Sequence, residues 1–342
     1  LKHSNLAFFV PHLGCPRRCS FCDQNAITGG AKQPAPQEVL ETSRRAAKEL
    51  GDKVQETQLA FFGGSFTAIP REVMVPLLEA AREAVKNYGF QGIRCSTRPD
   101  AIDRETLELL ARYDVKAVEL GAQSMDDRVL RLNRRGHTAA QTEEAAGLIR
   151  EFGMELGLQM MIGLYGDTEE TALATAESFI VMGADTARIY PTVVLPGTWL
   201  AQLYQAGEYR PQTLEEAVRL CARLLPLLEG AGVRVIRMGL HAEREMQEKI
   251  LAGPYHPAFR ELVLSRMFLE RLMGELSAVQ PGEYTVRVHP KSISVALGEK
   301  KSNVEHLKNR GYGVIFCQDG SVERNGFLIE KGSSEQRTGE SI

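Results

Sequence analysis

Cys15-Pro16-Arg17-Arg18-Cys19-Ser20-Phe21-Cys22 stands four residues after a short apolar run, Leu6-Ala7-Phe8-Phe9-Val10. Three thiols thus fall within eight residues. A compact trio suits a [4Fe–4S] cluster in which the fourth iron carries no protein ligand. Such clusters usually draw four cysteines, so three point to an iron left open for chemistry rather than to electron storage alone. Zinc is the rival metal, but its structural sites take four N/S ligands, commonly as spaced pairs. The chain has no second C-x-x-C pair, and His12 is awkwardly close for a fourth ligand. The iron–sulfur reading is the stronger one.

Outward from the motif, apolar or β-branched runs recur at Leu6–Val10, Gln58–Phe62, Ile93–Thr97, Ala117–Gly121, Leu156–Ile162, Ala187–Val194 and Val233–Met238. Between them lie Pro36–Leu50, Arg71–Tyr88, Asp103–Tyr113, Ala139–Phe152, Glu169–Met182 and Leu214–Leu228. Each of these segments spaces its apolar residues three and four apart, the helical period. Gly51, Gly89, Gly153, Gly183 and Gly230 stand where those helices should stop. Strands alternating with helices predict an α/β fold with a parallel sheet and right-handed crossovers. Six or seven such units fit an open or partial (β/α) barrel.

The rhythm changes after about Glu245. A Gly253-Pro-Tyr-His-Pro257 loop leads into a helix over Phe259–Met273 and a turn at Pro281-Gly282. Strand-like runs at Tyr284–His289 and Gly313–Cys317 then flank a helix at Ser302–Arg310. The expected organisation is a barrel over 1–245 and a smaller α+β unit over 246–342, loose from about Lys331.

Among the 342 residues, 43% are hydrophobic and 25% charged, an ordinary globular balance. A net charge of −3 offers no global attraction for nucleic acid, so any such site must be a local patch. Three of the six cysteines are scattered, as Cys95, Cys221 and Cys317, which is the pattern of a reducing compartment. No apolar segment approaches the ~20 residues that span a bilayer. A cytoplasmic protein with no membrane partner is expected.

In β/α barrels, chemistry gathers where strands run into the following loops. The thiol motif follows the first strand, and Gly63-Gly64-Ser65 follows the second. Ser96-Thr97-Arg98-Pro99-Asp100 closes the third, Gln123-Ser124 the fourth and Gly163 the fifth, while Tyr190-Pro191-Thr192 lies on the sixth and Arg237 on the seventh. Over about residues 5–245 this constellation resembles the radical S-adenosylmethionine (SAM) superfamily. The resemblance implies a partial (β/α)6-type radical SAM barrel in which Cys15, Cys19 and Cys22 hold the cluster and SAM chelates its open iron. It implies reductive cleavage of SAM to a 5′-deoxyadenosyl radical, fed by a low-potential electron donor. By the same resemblance Phe21 packs near the adenine, and Gly63, Gly64 and Ser65 meet the methionine amino group. Ser96 and Arg98 join the cofactor contacts. Gln123 and Arg135 are the implied ribose and carboxylate contacts. Gln159 takes a position that is often acidic in relatives of coproporphyrinogen oxidase, and Ile162, Gly163 and Leu164 line the adenine pocket.

Within that superfamily, four stretches are similar to the catalytic subunit of the Elongator complex, which acts on the wobble uridine of transfer RNA. They are Ser96–Asp100, Gly121-Ala122-Gln123-Ser124, Asn133-Arg134-Arg135-Gly136-His137-Thr138 and Arg188–Val194. The thiol spacing is tighter than in Elongator, and the sequence as it stands has no room for an acetyltransferase domain. The expectation is an Elongator-like radical SAM enzyme that modifies transfer or ribosomal RNA without carboxymethylation. Two other readings are a radical SAM enzyme acting on a tetrapyrrole or other small metabolite and a non-catalytic haem chaperone. The stretch Ile293–Leu307, with its Gly298-Glu299-Lys300-Lys301 turn, also looks like a KH motif, whose G-x-x-G loop clamps a nucleic-acid backbone. Lys291, Lys300, Lys301, Lys308 and Arg310 are the candidate RNA contacts around it.

Overall fold

Each of the seven apolar runs forms a parallel strand of one sheet, in the order of the sequence, β1 to β7. The computed structural model describes residues 4–10, 19–22, 33–240 and 244–332. The strands are β1 (Ser4–Val10), β2 (Thr57–Gly63), β3 (Gly92–Thr97), β4 (Val115–Gln123), β5 (Glu155–Ile162), β6 (Thr186–Pro191) and β7 (Arg234–Met238). Between them run α1 (Pro36–Leu50), α2 (Arg71–Tyr88), α3 (Arg104–Arg112), α4 (Asp127–Leu132), α5 (Ala139–Glu151), α6 (Glu169–Val181), α7 (Trp199–Gln205) and α8 (Leu214–Gly230). A short α9 (Arg244–Lys249) follows β7. The expected run to Val194 ends as a strand at Pro191; Val194 instead bridges antiparallel to Ala252.

Register sorts the residues between two faces. Phe61 lies opposite both Phe8 and Cys95, and Leu120 opposite Leu158, so one face is a buried apolar layer. The other face carries Phe62, Arg94, Ser96, Glu119, Gln159 and Arg188. The Arg188 guanidinium lies 5.0 Å from the centre of the Phe62 ring, although four strand steps separate β2 from β6. A flat sheet would place those strands roughly 19 Å apart. The sheet is therefore curled into a half-barrel with a polar inner face.

Three helix starts are closed by capping boxes. The Thr138 hydroxyl accepts the Gln141 N–H at 3.2 Å, and the Gln141 amide oxygen accepts the Thr138 N–H at 3.0 Å, closing a capping box at α5. Thr168 and Thr213 cap α6 and α8 in the same manner. These caps hold each loop at the carboxyl ends of the strands to the first turn of the helix behind it.

The chain divides into two units, Leu1–Ala217 with Arg223–Pro257, and Val218–Ala222 with Ala258–Ile342. The second contains α10 (Phe259–Leu276), β8 (Gly282–Val288), α11 (Ile293–Leu297), α12 (Ser302–Asn309), β9 (Tyr312–Gln318) and β10 (Phe327–Lys331). Its sheet has the order β10-β8-β9, with β8 parallel to β9 and antiparallel to β10. Phe268, Leu272, Val286, Val288 and Leu307 form its core. The buried Asn303 amide donates to the Val295 and Ala296 carbonyls and so closes the turn between α11 and α12.

Candidate active site

Segments after β4, β5 and β6 meet the described part of the thiol motif. Cys19 and Cys22 are described; Cys15, with His12, Arg17 and Arg18, lies outside the described residues. The end of β1, which feeds the motif, is held by β2. Gly64 N–H donates to the Val10 carbonyl at 2.8 Å. At Gly63, where φ is +107°, a Cβ would lie 3.3 Å from the Val10 oxygen, so backbone passes backbone with no space for a side chain. Ser65 is buried, with its hydroxyl 2.8 Å from that of Thr97 and accepting the Arg98 N–H at 3.0 Å. It ties the loop after β2 to the end of β3.

The motif itself is anchored at Ser20. Its N–H donates to the Asn133 carbonyl at 3.1 Å and its hydroxyl to Asn133 Oδ1 at 2.8 Å, while its carbonyl accepts the Leu200 N–H at 2.8 Å. Phe21 packs against the cluster of Val194, Leu200 and Tyr209 beside Tyr165 and Trp199. Tyr165 meets Trp199 and Tyr209 edge-on, at 6.0 and 6.2 Å between ring centres. These rings form an apolar wall beside the motif.

Arg135 reaches the motif directly. Its Nη1 donates to Cys19 Sγ at 3.1 Å and its Nη2 to the Gly121 carbonyl at 2.5 Å. Arg98 lies behind it: Nε and Nη2 grip the Asp100 carboxylate, both at 2.7 Å, and Nη2 also donates to the Arg135 carbonyl at 2.7 Å. Burial works against the charge of Asp100, but the Arg98 guanidinium outweighs it and keeps the carboxyl below its ordinary value. His137 is buried, with one ring nitrogen 3.2 Å from the Ala122 carbonyl. Burial, reinforced by the charges of Arg135 and Arg98, lowers its pKa to about 4, so it is neutral at pH 7.

Besides His137 Nδ1, two buried atoms that face each other across Gly121 lack a partner among the described residues: the acceptor Gln123 Oε1 and the donor Arg135 Nε. Both side chains flank Gly121, where an added Cβ would lie 2.9 Å from Gln123 Nε2 and 3.5 Å from Arg135 Nη2. Gln123 is held there by a left-handed backbone, φ +69°, uncommon for a residue with a side chain. Buried polar atoms are rarely left unmatched. A ligand bearing both hydroxyl and acceptor groups, as SAM does, satisfies this pair, and the thiol donors beside it suit iron. The residues present therefore fit the two implied groups.

At Ile162–Leu164 the backbone already has partners in the chain. The Ile162 carbonyl accepts from Thr192 N–H, Gly163 O from the Tyr209 hydroxyl at 2.6 Å, and Leu164 O from Asp167 N–H. Asp167 Oδ2 in turn accepts the Gly163 N–H at 2.9 Å. Burial raises the Asp167 carboxyl to about 6, against the hydrogen bonds from Thr171 and Gly163 that oppose the rise. Ile162 and Leu164 are buried, so they offer apolar packing at this edge.

Deeper on the inner face lies a charged network centred on Glu119, a residue that no sequence motif marked. Glu119 binds Arg188 Nε at 2.6 Å and Arg94 Nη1 at 3.1 Å, and Arg94 Nη2 reaches Glu155 at 2.6 Å. Gln159 Nε2 donates to Glu119 at 2.8 Å and to Ser96 Oγ at 3.1 Å, which places both predicted residues in this network. Burial pushes Glu119 upward; the Arg188 and Arg94 charges outweigh it and hold the carboxyl below 4.5. The visible signal was an arginine or glutamate at alternate positions of otherwise apolar runs. Cys95 is buried on the opposite face with its thiol raised to about 12 by burial, as suits an inert packing residue. Arg237 donates to the Gly239 and Leu240 carbonyls and finishes the end of β7.

In the second unit, Lys300 and Lys301 are exposed side by side on the turn between α11 and α12, both in left-handed backbone, φ 51° and 63°. Lys291 follows β8, whereas Lys308 and Arg310 precede β9. Because β8 and β9 are parallel, the structure places these two groups at opposite ends of the small sheet rather than in one run.

Comparison with known proteins supplies the family. Matching relatives include the tRNA uridine(34) acetyltransferase of Dehalococcoides mccartyi (strain CBDB1), 26% identical over 60% of this chain and 52% of that protein. Elongator complex protein 3 of Homo sapiens is 28% identical over 64% of this chain and 43% of its own length. The chain spans about half the length of these curated relatives. The structure of the archaeal Methanocaldococcus infernus Elp3 shares the fold, with a TM-score of 0.61 at 19% identity, covering 81% of this chain and 64% of that one. The Radical_SAM C-terminal domain model matches residues 184–268. The model of the superfamily itself matches residues 9–179, and across that half of its length the chain belongs to the radical SAM superfamily.

Proposed function

We propose that this radical SAM enzyme modifies RNA, with transfer or ribosomal RNA as the substrate class, using a [4Fe–4S] cluster on Cys15, Cys19 and Cys22. The observation that carries the cofactor reading is the motif loop docked beside the unmatched Gln123 Oε1 and Arg135 Nε. When bound, the two cofactors supply one-electron cleavage of the sulfonium carbon–sulfur bond. Gln123 would accept from a ribose hydroxyl and Arg135 Nε would donate to an acceptor of the same ligand. Phe21, Tyr165 and Trp199 exclude water, and Gly63 and Gly64 leave room for close approach of backbone. A low-potential electron donor outside the chain completes the requirement.

The RNA part draws on the relatives, one of which is named for transfer RNA and its uridine 34. It draws also on the second unit. A strand, two helices joined by Gly298–Lys301 and a parallel strand form a KH-like β-α-α-β arrangement. Lys301 stands where the second glycine of a G-x-x-G loop would be and takes the left-handed backbone that glycine favours. Lys300 and Lys301 are thereby free to meet phosphates, and Lys291, Lys308 and Arg310 extend the reach on either side. In domain terms, residues 1–245 generate the radical and 246–342 hold the nucleic acid.

The deciding experiment compares nucleoside mass spectra of total RNA from the host with and without this protein. A modified nucleoside missing in its absence names substrate and product together, and identical spectra would remove RNA as the substrate. In parallel, anaerobically reconstituted protein should hold about four irons per chain and release 5′-deoxyadenosine with dithionite. Zinc without iron uptake would sink the cofactor reading.

A further inference from the structure

Arg135 reaches a motif sulfur from another loop, and it is not free to leave. Its backbone N–H bonds to the Leu130 carbonyl at 3.0 Å, and its own carbonyl is gripped by Arg98, which Asp100 fixes in turn. Nη2 is fastened to the Gly121 carbonyl. With both flanks held, Nη1 is aimed at Cys19 Sγ at 3.1 Å from a side chain that is 6% exposed. Arginine keeps its charge at any working pH. The neighbouring His137 is neutral near pH 7.

We propose that Arg135 is a positioning residue for the cluster, whose guanidinium sets the reduction potential through Cys19. The proposal rests on the radical SAM reading. A charge-assisted N–H donor on a ligating sulfur withdraws electron density from it. Reduction adds one electron from the external donor to the cluster, makes and breaks no bond, and increases its negative charge. A fixed positive group therefore favours the reduced state and raises the potential. Nε of Arg135 has no partner among the described residues and stays available to a second ligand.

The test uses the full chain, reconstituted without SAM, in wild-type, Arg135→Gln and Arg135→Met forms. Each is titrated with dithionite and mediators while the reduced cluster is followed by electron paramagnetic resonance. At the wild-type midpoint the variants should show about a tenfold lower reduced-to-oxidised ratio, which for one electron is about 59 mV. An unshifted midpoint in either variant with full iron content overturns the proposal. Failure of both variants to take up iron, while wild type does, overturns it in favour of a purely structural role. A wild type that takes up no iron fails the radical SAM reading itself, a separate and recognisable outcome.

Discussion

Ser20 donates its hydroxyl to Asn133 at 2.8 Å, and the Asn133 amide donates onward to the Val129 and Tyr165 carbonyls. One fully buried side chain thus joins the residue between two motif thiols to α4 and to the loop after β5.

Asn133→Ala removes all three bonds and leaves buried partners unmatched, at about 1–3 kcal/mol for each group left so. The expected result is a reconstituted protein that surrenders iron to a chelator several-fold faster than wild type. Equal release rates would show that the loop is held by other contacts.

Glu119→Gln takes the carboxylate from Arg188, 8% exposed, and leaves the fully buried Arg94 with Glu155 alone. Breaking one side of a buried pair costs about 3–5 kcal/mol, readable as a lower midpoint in denaturant unfolding. The sign with pH follows from the depressed carboxyl. Its contribution is fully present above 4.5 and is lost as pH falls through the lower folded value. The variant should lack that part of the acid sensitivity.

His137 and Asp167 oppose each other in acid. The folded state of His137 resists a proton from 6.5 down to about 4, so its contribution declines as pH falls through that window. The folded carboxyl of Asp167 holds its proton up to about 6 against an ordinary 3.8, so its contribution is present at low pH and lost as pH rises through about 6. Each difference is worth about 3 kcal/mol at most. His137→Gln should flatten the acid decline of stability, and Asp167→Asn should steepen it, as measured by unfolding midpoints across the same window. Parallel curves for both variants and wild type would contradict the assignment.

Gly63→Ala forces a side chain into φ +107° against the Val10 backbone. Strain of this type costs about 1–3 kcal/mol, and here it falls on the strand that feeds the thiol loop. Iron content after reconstitution should drop while the far-ultraviolet circular dichroism stays close to wild type. A fully loaded Gly63→Ala protein would mean that the end of β1 can shift without consequence.

Much of this architecture was legible because local signals agreed. Pro36–Leu50 and Arg71–Tyr88 match the observed helices residue for residue, since apolar period, an early proline and a following glycine all coincide. The helices at Asp127–Leu132 and Trp199–Gln205 escaped notice: at six and seven residues they are too short to display a period. Their caps, Asp126 and Thr198, were the only available clue. At the site, sequence could name Gln123 and Arg135 but not that Arg135 addresses a sulfur, because that depends on how two residues 116 positions apart return to one point. Nor could it show that Lys291 and Lys308 part company, since only the parallel pairing of β8 and β9 separates them.

The inner network carries a consequence for assembly. Side chains alternate between faces along a strand, so a slip of one residue in β3 or β4 would drive Arg94 or Glu119 into the apolar layer with Phe61 and Leu120. Charged groups stranded there cost far more than the correct pairing contributes. Misaligned sheets are thereby penalised, and the half-barrel holds its strand-end loops in step with one another. An apolar replacement of the whole network, Arg94→Met, Glu119→Leu and Arg188→Met with Gln58→Leu and Gln159→Leu to remove their buried partners, should keep or raise the unfolding midpoint yet broaden the transition. An equally sharp transition would deny the network this proofreading part.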